Sequence, residues 1–167
     1  PLARAIGLGD GCAVGGVWAD DAGVRLADPS TWSITAAPDK LYFGGVAFPL
    51  EENVLVHSYK RAARKAVRQG VDIVTAGGEA SGVPPPIASV EAMREALGDH
   101  PLAIVSGLTP DNIWPYLPFA QAFLVGVAAV SPRAGWLDPA WLKALVDAVA
   151  EERSGEAISR WKWQPSL

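Results

Sequence analysis

Short apolar runs alternate with longer stretches of helical periodicity along this chain. Three of the runs end in small residues, at 71–78, 102–107 and 123–128. The stretch 53–69 places apolar side chains at helical spacing, with lysines and arginines on the opposite face. Strands that alternate with helices predict βα units, in which the strands pair in parallel and the helices pack outside the sheet.

The same pattern gives the expected elements and their ends. The predicted strands are 13–19, 40–48, 71–75, 102–105 and 122–125, and the predicted helices are 53–69, 87–97, one that begins at Thr109, and 138–151. Thr109 and Asp138 are the expected N-caps, because a proline follows each at the first helical position. Ser89 and Met93 are expected on the buried side of the second helix. Pro49 should end the pairing of the second strand, since proline has no N–H to donate.

The spacing of the strands corresponds to about five βα units. A complete eightfold barrel takes ~250 residues, whereas this chain has 167. We therefore predict an α/β fold that is a partial (β/α)8 TIM-like barrel with parallel strands. An absent N-terminal piece upstream of Pro1 and an open five-stranded sheet are the alternatives. Residues 1–152 are predicted to form a single β/α domain, and residues 153–167 a C-terminal tail.

The charge pattern narrows the range of partners. The net charge is −4, and the basic cluster at 60–65 fits the solvated face of a helix, so no nucleic-acid partner is expected. Cys12 is the one cysteine, which excludes an internal disulfide and fits a reducing compartment. The longest apolar stretch, 122–130, is too short to span a bilayer, and no signal peptide opens the sequence, so the expected location is cytoplasmic.

Small residues at the ends of three strands predict an anion site. In β/α barrels the last two strand ends often hold phosphate through backbone N–H groups, and a glycine lets the ligand approach the backbone closely. The predicted phosphate- and ligand-binding residues are Thr75, Gly77, Ser106, Gly107, Gly126 and Val127. The alternative explanation is that the glycines only serve the geometry of tight turns.

Asp20 and Glu79 are the candidate acid/base residues. Asp20 ends the first strand beside Asp21, although an exposed turn also explains that pair. Glu79 is the only ionisable group in the small- and proline-rich stretch 78–86, which is either a pocket wall or a rigid connector with a solvated glutamate. No metal site and no cofactor are predicted, because the sequence has no metal-ligand spacing, no Ser/His/Asp arrangement and no Gly-rich nucleotide loop.

Four segments in order resemble the BtpA-like family. They are residues 41–48, 72–84, 105–112 and 123–126, within a similarity that extends over about residues 10–150. The resemblance implies a TIM barrel, of which this chain holds the later strands, and a link to photosystem I biogenesis. Two departures bear on catalysis. Pro49 stands where the family usually has a lysine, and Arg133 is the nearest cation after the last strand, where the family tends to have another.

Three functional hypotheses follow. The first is an enzyme or binder of a small phosphorylated metabolite, whose reaction the sequence does not name. The alternative, which the family suggests, is a non-catalytic assembly factor for a membrane complex, and the seven tryptophans favour it mildly. The third concerns assembly: an incomplete barrel has open strand edges, so we expect a homo-oligomer or a barrel completed by a partner.

Overall fold

Five parallel strands form a sheet that curls into half of a barrel. The computed structural model describes residues 15–20, 22, 41–46, 56–126 and 137–155. The strands are β1 (Gly16–Ala19), β2 (Leu41–Gly45), β3 (Ile73–Gly77), β4 (Leu102–Val105) and β5 (Ala122–Leu124), and their order in the sheet is β1-β2-β3-β4-β5. Every neighbouring pair is parallel. The predicted partial barrel is therefore confirmed.

Three described helices accompany the sheet. They are α1 (Val56–Arg68), α2 (Ile87–Leu97) and α3 (Pro139–Gly155), and a short 3₁₀ turn spans Trp114–Tyr116. The bounds of α2 are as predicted, and its buried face includes Ser89 and Met93. Asp138 caps α3 as predicted, because its Oδ1 accepts from the backbone N–H of Ala140 at 2.9 Å and of Trp141 at 3.1 Å. None of these helices combines the length and the apolar character that a bilayer-spanning segment needs.

The two faces of the sheet have different neighbours. On the outer face, side chains of β3 and β4 form the core with α1 and α2: Ala62, Ala66, Val74, Ala76, Val90, Met93, Leu102 and Ile104. The inner face holds the alternate residues. Thr75 and Gly77 are in register there with Ala103 and Val105 of β4. The core thus lies between sheet and helices, and the inner face is left to line the interior of the half-barrel.

The strand β3 begins and ends two residues later than the predicted 71–75. Asp72 precedes the ladder because its carboxylate Oδ2 accepts from the N–H of Tyr42 at 2.8 Å, while its own N–H donates to the Tyr42 carbonyl at 3.1 Å. At the other end Gly77 still pairs with Val105. The carboxyl end of β3 therefore includes one of the predicted site glycines.

The helix predicted to begin at Thr109 is wrong. Asn112 and Ile113 donate from their N–H groups to the Thr109 carbonyl, and only the 3₁₀ turn follows. The N–H of Thr109 in turn donates to Oδ1 of Asn112 at 2.7 Å, which closes the turn. Pro115 and Pro118 supply no N–H to a helical ladder, which explains why no α-helix forms.

A polar cluster at the amino-terminal ends of the strands ties α2 to β4 and β5. The guanidinium of Arg94 donates to Oε1 of Gln121 at 3.1 Å and to the carbonyls of Gly98, His100 and Phe119. Gln121 Oε1 also accepts from the N–H of Leu102 at 3.0 Å. In barrels this end serves stability, and His100 lies here, away from the carboxyl ends of the strands.

Several predictions fall outside the described residues. They concern Cys12, Asp21, Pro49, Val127 and Arg133, the tail beyond Gly155, and the outer ends of the first two strands.

Candidate functional site

A cavity of about 290 Å³ opens at the carboxyl ends of the strands. Its lining comes from β1, β3, β4 and β5 and from the loops that follow them: Trp18, Asp20, Gly77, Gly78, Ala80, Ser81, Val105, Ser106, Leu124, Val125 and Gly126. Four residues singled out from the sequence, Asp20, Gly77, Ser106 and Gly126, are thereby brought together at one rim. Parallel strands produce this convergence because all their carboxyl ends lie at the same edge of the sheet.

The loop 78–86, which we call the wall loop, closes one side of the cavity. Gly78, Ala80 and Ser81 contribute to the lining. The loop folds tightly on itself at Gly78, where an added Cβ would lie 1.9 Å from the carbonyl oxygen of Val83. Glu79 is exposed and is not part of the lining, so the wall offers small side chains and backbone rather than a carboxylate.

Two hydrogen bonds hold the wall loop to the strands and loops beside it. The N–H of Gly82 donates to the hydroxyl oxygen of Ser106 at 2.9 Å. The buried hydroxyl of Tyr116 donates to the carbonyl of Pro85 at 2.8 Å, and burial raises the pKa of this phenol. The loop is therefore held from both the end of β4 and the 3₁₀ turn.

Ser106 and Gly107 shape the wall through an unusual backbone. Both have positive φ, 75° and 65° respectively. The N–H of Ser106 donates to the carbonyl of Leu124 at 3.2 Å, and the Gly107 carbonyl accepts from Nδ2 of Asn112 at 2.9 Å. Gly107 is not part of the lining. An added Cβ there would lie 2.2 Å from the backbone nitrogen of Pro84, so this glycine is required for close packing.

Gly126, unlike Gly107, is not needed for close packing. It is exposed at the end of β5 and lines the cavity, and an added Cβ would have no heavy atom of the described residues beyond its chain neighbours within 4 Å. Its φ is not positive. Gly126 therefore leaves open space beside the backbone at the β5 side of the rim, where a ligand can approach.

Asp20 occupies the other side of the rim, above β2. Its carbonyl oxygen lies 1.6 Å from the place of an added Cβ on Gly45, so the chain after β1 crosses the inner face of β2 at a position that only glycine allows. Asp20 is the only charged side chain in the described lining. Trp18, two residues earlier on the same strand face, also lines the cavity and is 43% exposed.

Trp18 is the main lining residue that the sequence analysis missed. The alternation of strand side chains, together with its spacing of two from Asp20, was the signal that could have placed it on the same face. The wall residues Ala80 and Ser81 carry no comparable signal, since their position depends on how the loop folds back.

Thr75 lies on the same face as Gly77 but deeper. Its side chain is fully buried, and its Oγ1 has no hydrogen-bond partner among the residues that the structure describes. In register beside it stand Gly45 on β2 and Ala103 on β4. An unpartnered buried hydroxyl is uncommon, because burying a polar group without a hydrogen bond is unfavourable.

Charge and metal ligands are sparse around the cavity. Within the described residues no group of three or more histidine, cysteine, aspartate or glutamate side chains is placed to hold a metal ion. The described lining also contains no lysine or arginine. The arrangement therefore suits hydrogen bonding by backbone and hydroxyl groups.

Comparison with solved structures supports the fold. The chain superposes on phosphoribosyl anthranilate isomerase from Thermus thermophilus with a TM-score of 0.50 and 16% identity, over 68% of this chain and 52% of that one. It superposes on GGGPS from Thermoplasma volcanium with a TM-score of 0.50 and 12% identity, over 68% and 50% respectively. The chain thus spans about half the length of these structures. No family model and no curated protein matches the sequence. At these identities the similarity establishes a β/α-barrel architecture.

Proposed function

We propose that the cavity at the carboxyl ends of β1–β5 binds a small phosphorylated metabolite. The observation that carries this proposal is the open, glycine-lined rim at Gly77, Gly78 and Gly126, where no Cβ keeps a ligand from the backbone. The location agrees with the rule that barrels bind phosphate after their last strands. One similar structure, phosphoribosyl anthranilate isomerase, is named for a phosphorylated substrate.

The phosphate belongs at the β3–β5 side of this rim. Ser81 offers a hydroxyl there, and Gly126 is open to solvent. The N–H of Ser106 is not available to the ligand, since it donates to the carbonyl of Leu124, whereas its hydroxyl accepts from the N–H of Gly82 and can still donate its own proton. Because the described lining contains no cation, we expect dissociation constants on the order of 0.1–1 mM, as hydrogen bonds alone would give.

The carboxylate of Asp20 does not conflict with this placement. The backbone carbonyl of Asp20 lies over β2 and Gly126 follows β5, so three strand spacings of about 4.8 Å, or at most ~14 Å as measured along the curled sheet, separate the two residues. A unit charge and a phosphate dianion that far apart repel by about 0.6 kcal/mol in water, and salt screens this further. Asp20 is thus free to act as an acid or base at the opposite end of the ligand.

Substitution of Gly126 tests the proposal. Gly126→Asp adds a negative charge where phosphate is expected, and Gly126→Asn adds the same volume without the charge. At about 5 Å and an effective dielectric constant of 40–80 the repulsion is on the order of 1–2 kcal/mol per phosphate charge. We therefore expect Gly126→Asp to weaken binding of inorganic phosphate and of sugar phosphates at least fivefold more than Gly126→Asn does.

Thermal shift measurement with increasing ligand concentration reports the effect, since a ligand at ten times its dissociation constant stabilises by about 1.4 kcal/mol. The wild-type chain should be stabilised by phosphorylated compounds and not by the same compounds without phosphate. Equal effects of the Asp and Asn variants, or no stabilisation of folded wild type by any phosphorylated ligand, would contradict the proposal.

The BtpA-like resemblance offers a second candidate, a non-catalytic assembly factor. The observation that favours it is Trp114, which is 44% exposed on the 3₁₀ turn beside the exposed Pro115. Exposed tryptophan is typical of protein interfaces. If this role is correct, Trp114→Ala should abolish co-purification with a membrane complex and leave the thermal shift by phosphate unchanged.

The sheet edges support a proposal about assembly. Among the described residues β1 pairs only with β2, and β5 only with β4. We expect a second copy or a partner to cover these edges, since unpaired strand edges favour association. Light scattering at low micromolar concentration should give more than a monomer mass, and a clean monomer would contradict this expectation.

A further inference from the structure

We infer that Trp18 and Asp20 form a subsite for a cationic amine at the β1–β2 side of the cavity. The inference rests on the proposed function and makes its ligand class more specific. The ligand is a phosphomonoester that carries a positively charged amine at the end remote from its phosphate, as amino sugar phosphates and phosphocholine do.

Trp18 and Asp20 both line the cavity, so the structure places both within reach of a ligand. They lie two residues apart at the carboxyl end of β1 and therefore on one face of the strand. With a rise of ~3.3 Å per residue, about 6.6 Å separates them along the chain. An amine between them contacts both, because a cation within ~6 Å of a ring centroid is attracted to the ring and an ammonium group hydrogen-bonds a carboxylate at ~2.8 Å.

The carboxylate of Asp20 has no countercharge in the described part of the chain. The ion pairs found there join Lys60 to Glu95 and Lys143 to Asp147, and neither involves Asp20. The described lining contains no lysine or arginine, so Asp20 gives it a negative charge. A ligand with a neutral group beside Asp20 leaves this carboxylate unpaired, whereas a cationic group offsets its charge.

The indole of Trp18 supplies the independent observation. It is 43% exposed, although tryptophan is on average highly buried in folded proteins. Tryptophan also attracts cations to its ring face more strongly than tyrosine or phenylalanine does. Val105, Leu124 and Val125 line the same cavity, and apolar surroundings strengthen both the cation–π contact and the ion pair because they exclude water.

The two sides of the cavity therefore favour opposite charges. Ser81 and Gly126 border the side where the phosphate is expected, and Trp18 and Asp20 border the other. The strands β1 and β5 are the two edges of the sheet, and its curl brings both to one cavity. The volume of about 290 Å³ lies at the lower end of the ~300–1,000 Å³ typical of ligand pockets, so the ligand has the size of a hexose phosphate rather than of a dinucleotide.

Two pairs of ligands separate the charge of the amine from the rest of the molecule. Glucosamine 6-phosphate has an ammonium group where glucose 6-phosphate has a hydroxyl, and phosphocholine has a quaternary nitrogen where 3,3-dimethylbutyl phosphate has a carbon atom. Calorimetry measures the four dissociation constants. We expect the amine of at least one pair to bind about fivefold to twenty-fivefold more tightly than its neutral counterpart, the combined effect of one cation–π contact and one exposed ion pair.

Substitutions of the two residues test the assignment. Asp20→Asn removes the charge and keeps the volume, and we expect it to lower the preference for the amine about threefold to fivefold. Trp18→Leu removes the aromatic face and keeps an apolar side chain, and we expect a decrease of about twofold to fivefold. Glu79→Gln is the matched control, because Glu79 is an exposed carboxylate of the wall loop outside the lining. It should leave the preference unchanged, and all three variants should fold, since they alter exposed positions.

The outcomes distinguish this inference from the proposed function. If the members of each pair bind the wild type equally, or if either Asp20→Asn or Trp18→Leu keeps the wild-type preference, the amine subsite is overturned while the phosphate site stands. An effect of Glu79→Gln as large as that of Asp20→Asn also overturns it, because the preference then reflects overall charge. Glucosamine that binds as tightly as glucosamine 6-phosphate contradicts the phosphate site while the amine subsite stands. If no phosphorylated compound binds the folded wild type, both proposals fail.

Discussion

At Gly107 a single added methyl group should move the cavity wall. Its φ of 65° lies in the left-handed region, and an added Cβ would lie 2.2 Å from the nitrogen of Pro84 and 2.4 Å from the carbonyl carbon of Val83. Both contacts are to backbone, which cannot rotate away as a side chain would. Gly107→Ala must therefore move the wall loop or the end of β4.

The loss of stability in Gly107→Ala has two separable causes, the strain of the left-handed backbone and the clash with the wall loop. A left-handed backbone disfavours alanine by about 1–2 kcal/mol, and overpacking adds roughly 1–3 kcal/mol. Gly82 is a matched control, because its φ is 82° and an added Cβ there would have no heavy atom within 4 Å in the described part of the chain beyond its neighbours in sequence. Gly82→Ala should incur only the first cost. We expect Gly107→Ala to lower the free energy of unfolding by about 2–5 kcal/mol and Gly82→Ala by about 1–2 kcal/mol.

Urea denaturation followed by circular dichroism measures both variants. With a slope of ~2 kcal/mol per molar urea, the midpoint of Gly107→Ala should lie about 1 M below that of Gly82→Ala. Gly126→Ala, where neither strain nor contact arises, should stay within about 0.5 kcal/mol of the wild type. If Gly107→Ala and Gly82→Ala prove equally stable, the close packing of β4 against the wall loop is refuted.

Two further predictions concern the wall and the opposite end of the sheet. Tyr116→Phe removes the hydrogen bond to the Pro85 carbonyl and leaves that carbonyl without its donor. We expect the free energy of unfolding, measured by urea denaturation, to fall by about 1–2 kcal/mol and phosphate binding to weaken. If both values are unchanged, Tyr116 does not hold the wall loop. Burial lowers the pKa of His100 below its usual value, although the carbonyl of Val71, 3.1 Å from Nε2, and the charge of Asp72 oppose the shift while Arg94 adds to it. The folded protein thus binds a proton on His100 less readily than the unfolded chain does. The stability that comes from keeping His100 neutral is therefore fully present above about pH 6.5, and it declines as the pH falls below that value because the unfolded chain takes up the proton first. Unfolding free energies measured from pH 7.5 to 5.5 should fall with decreasing pH, and the slope should be smaller for His100→Gln; an equal slope would refute the assignment.

The sequence alone determined the succession of βα units and the placement of several elements. The apolar runs and the helical periodicity are local signals, and so are the caps. For this reason α2 and β4 lie where they were predicted, and Asp138 begins α3 as expected. The parallel arrangement followed as well, because short strands separated by helices leave few other topologies. Convergence of Gly77, Ser106 and Gly126 at one rim is a consequence of that arrangement.

Tertiary structure decided which atoms of those residues remain available to a ligand. The N–H of Ser106, after β4, donates to the carbonyl of Leu124 on β5, and Gly107 packs against Pro84. Neither contact can be predicted from a local sequence pattern, because each joins residues far apart in the sequence. The crossing of Asp20 over Gly45 and the unpartnered hydroxyl of Thr75 likewise depend on chain segments distant in sequence. Local propensity sets where strands and helices occur. Hydrogen-bond satisfaction and close packing are properties of several segments together, so they become defined only when the sheet has curled and the loops have folded onto it.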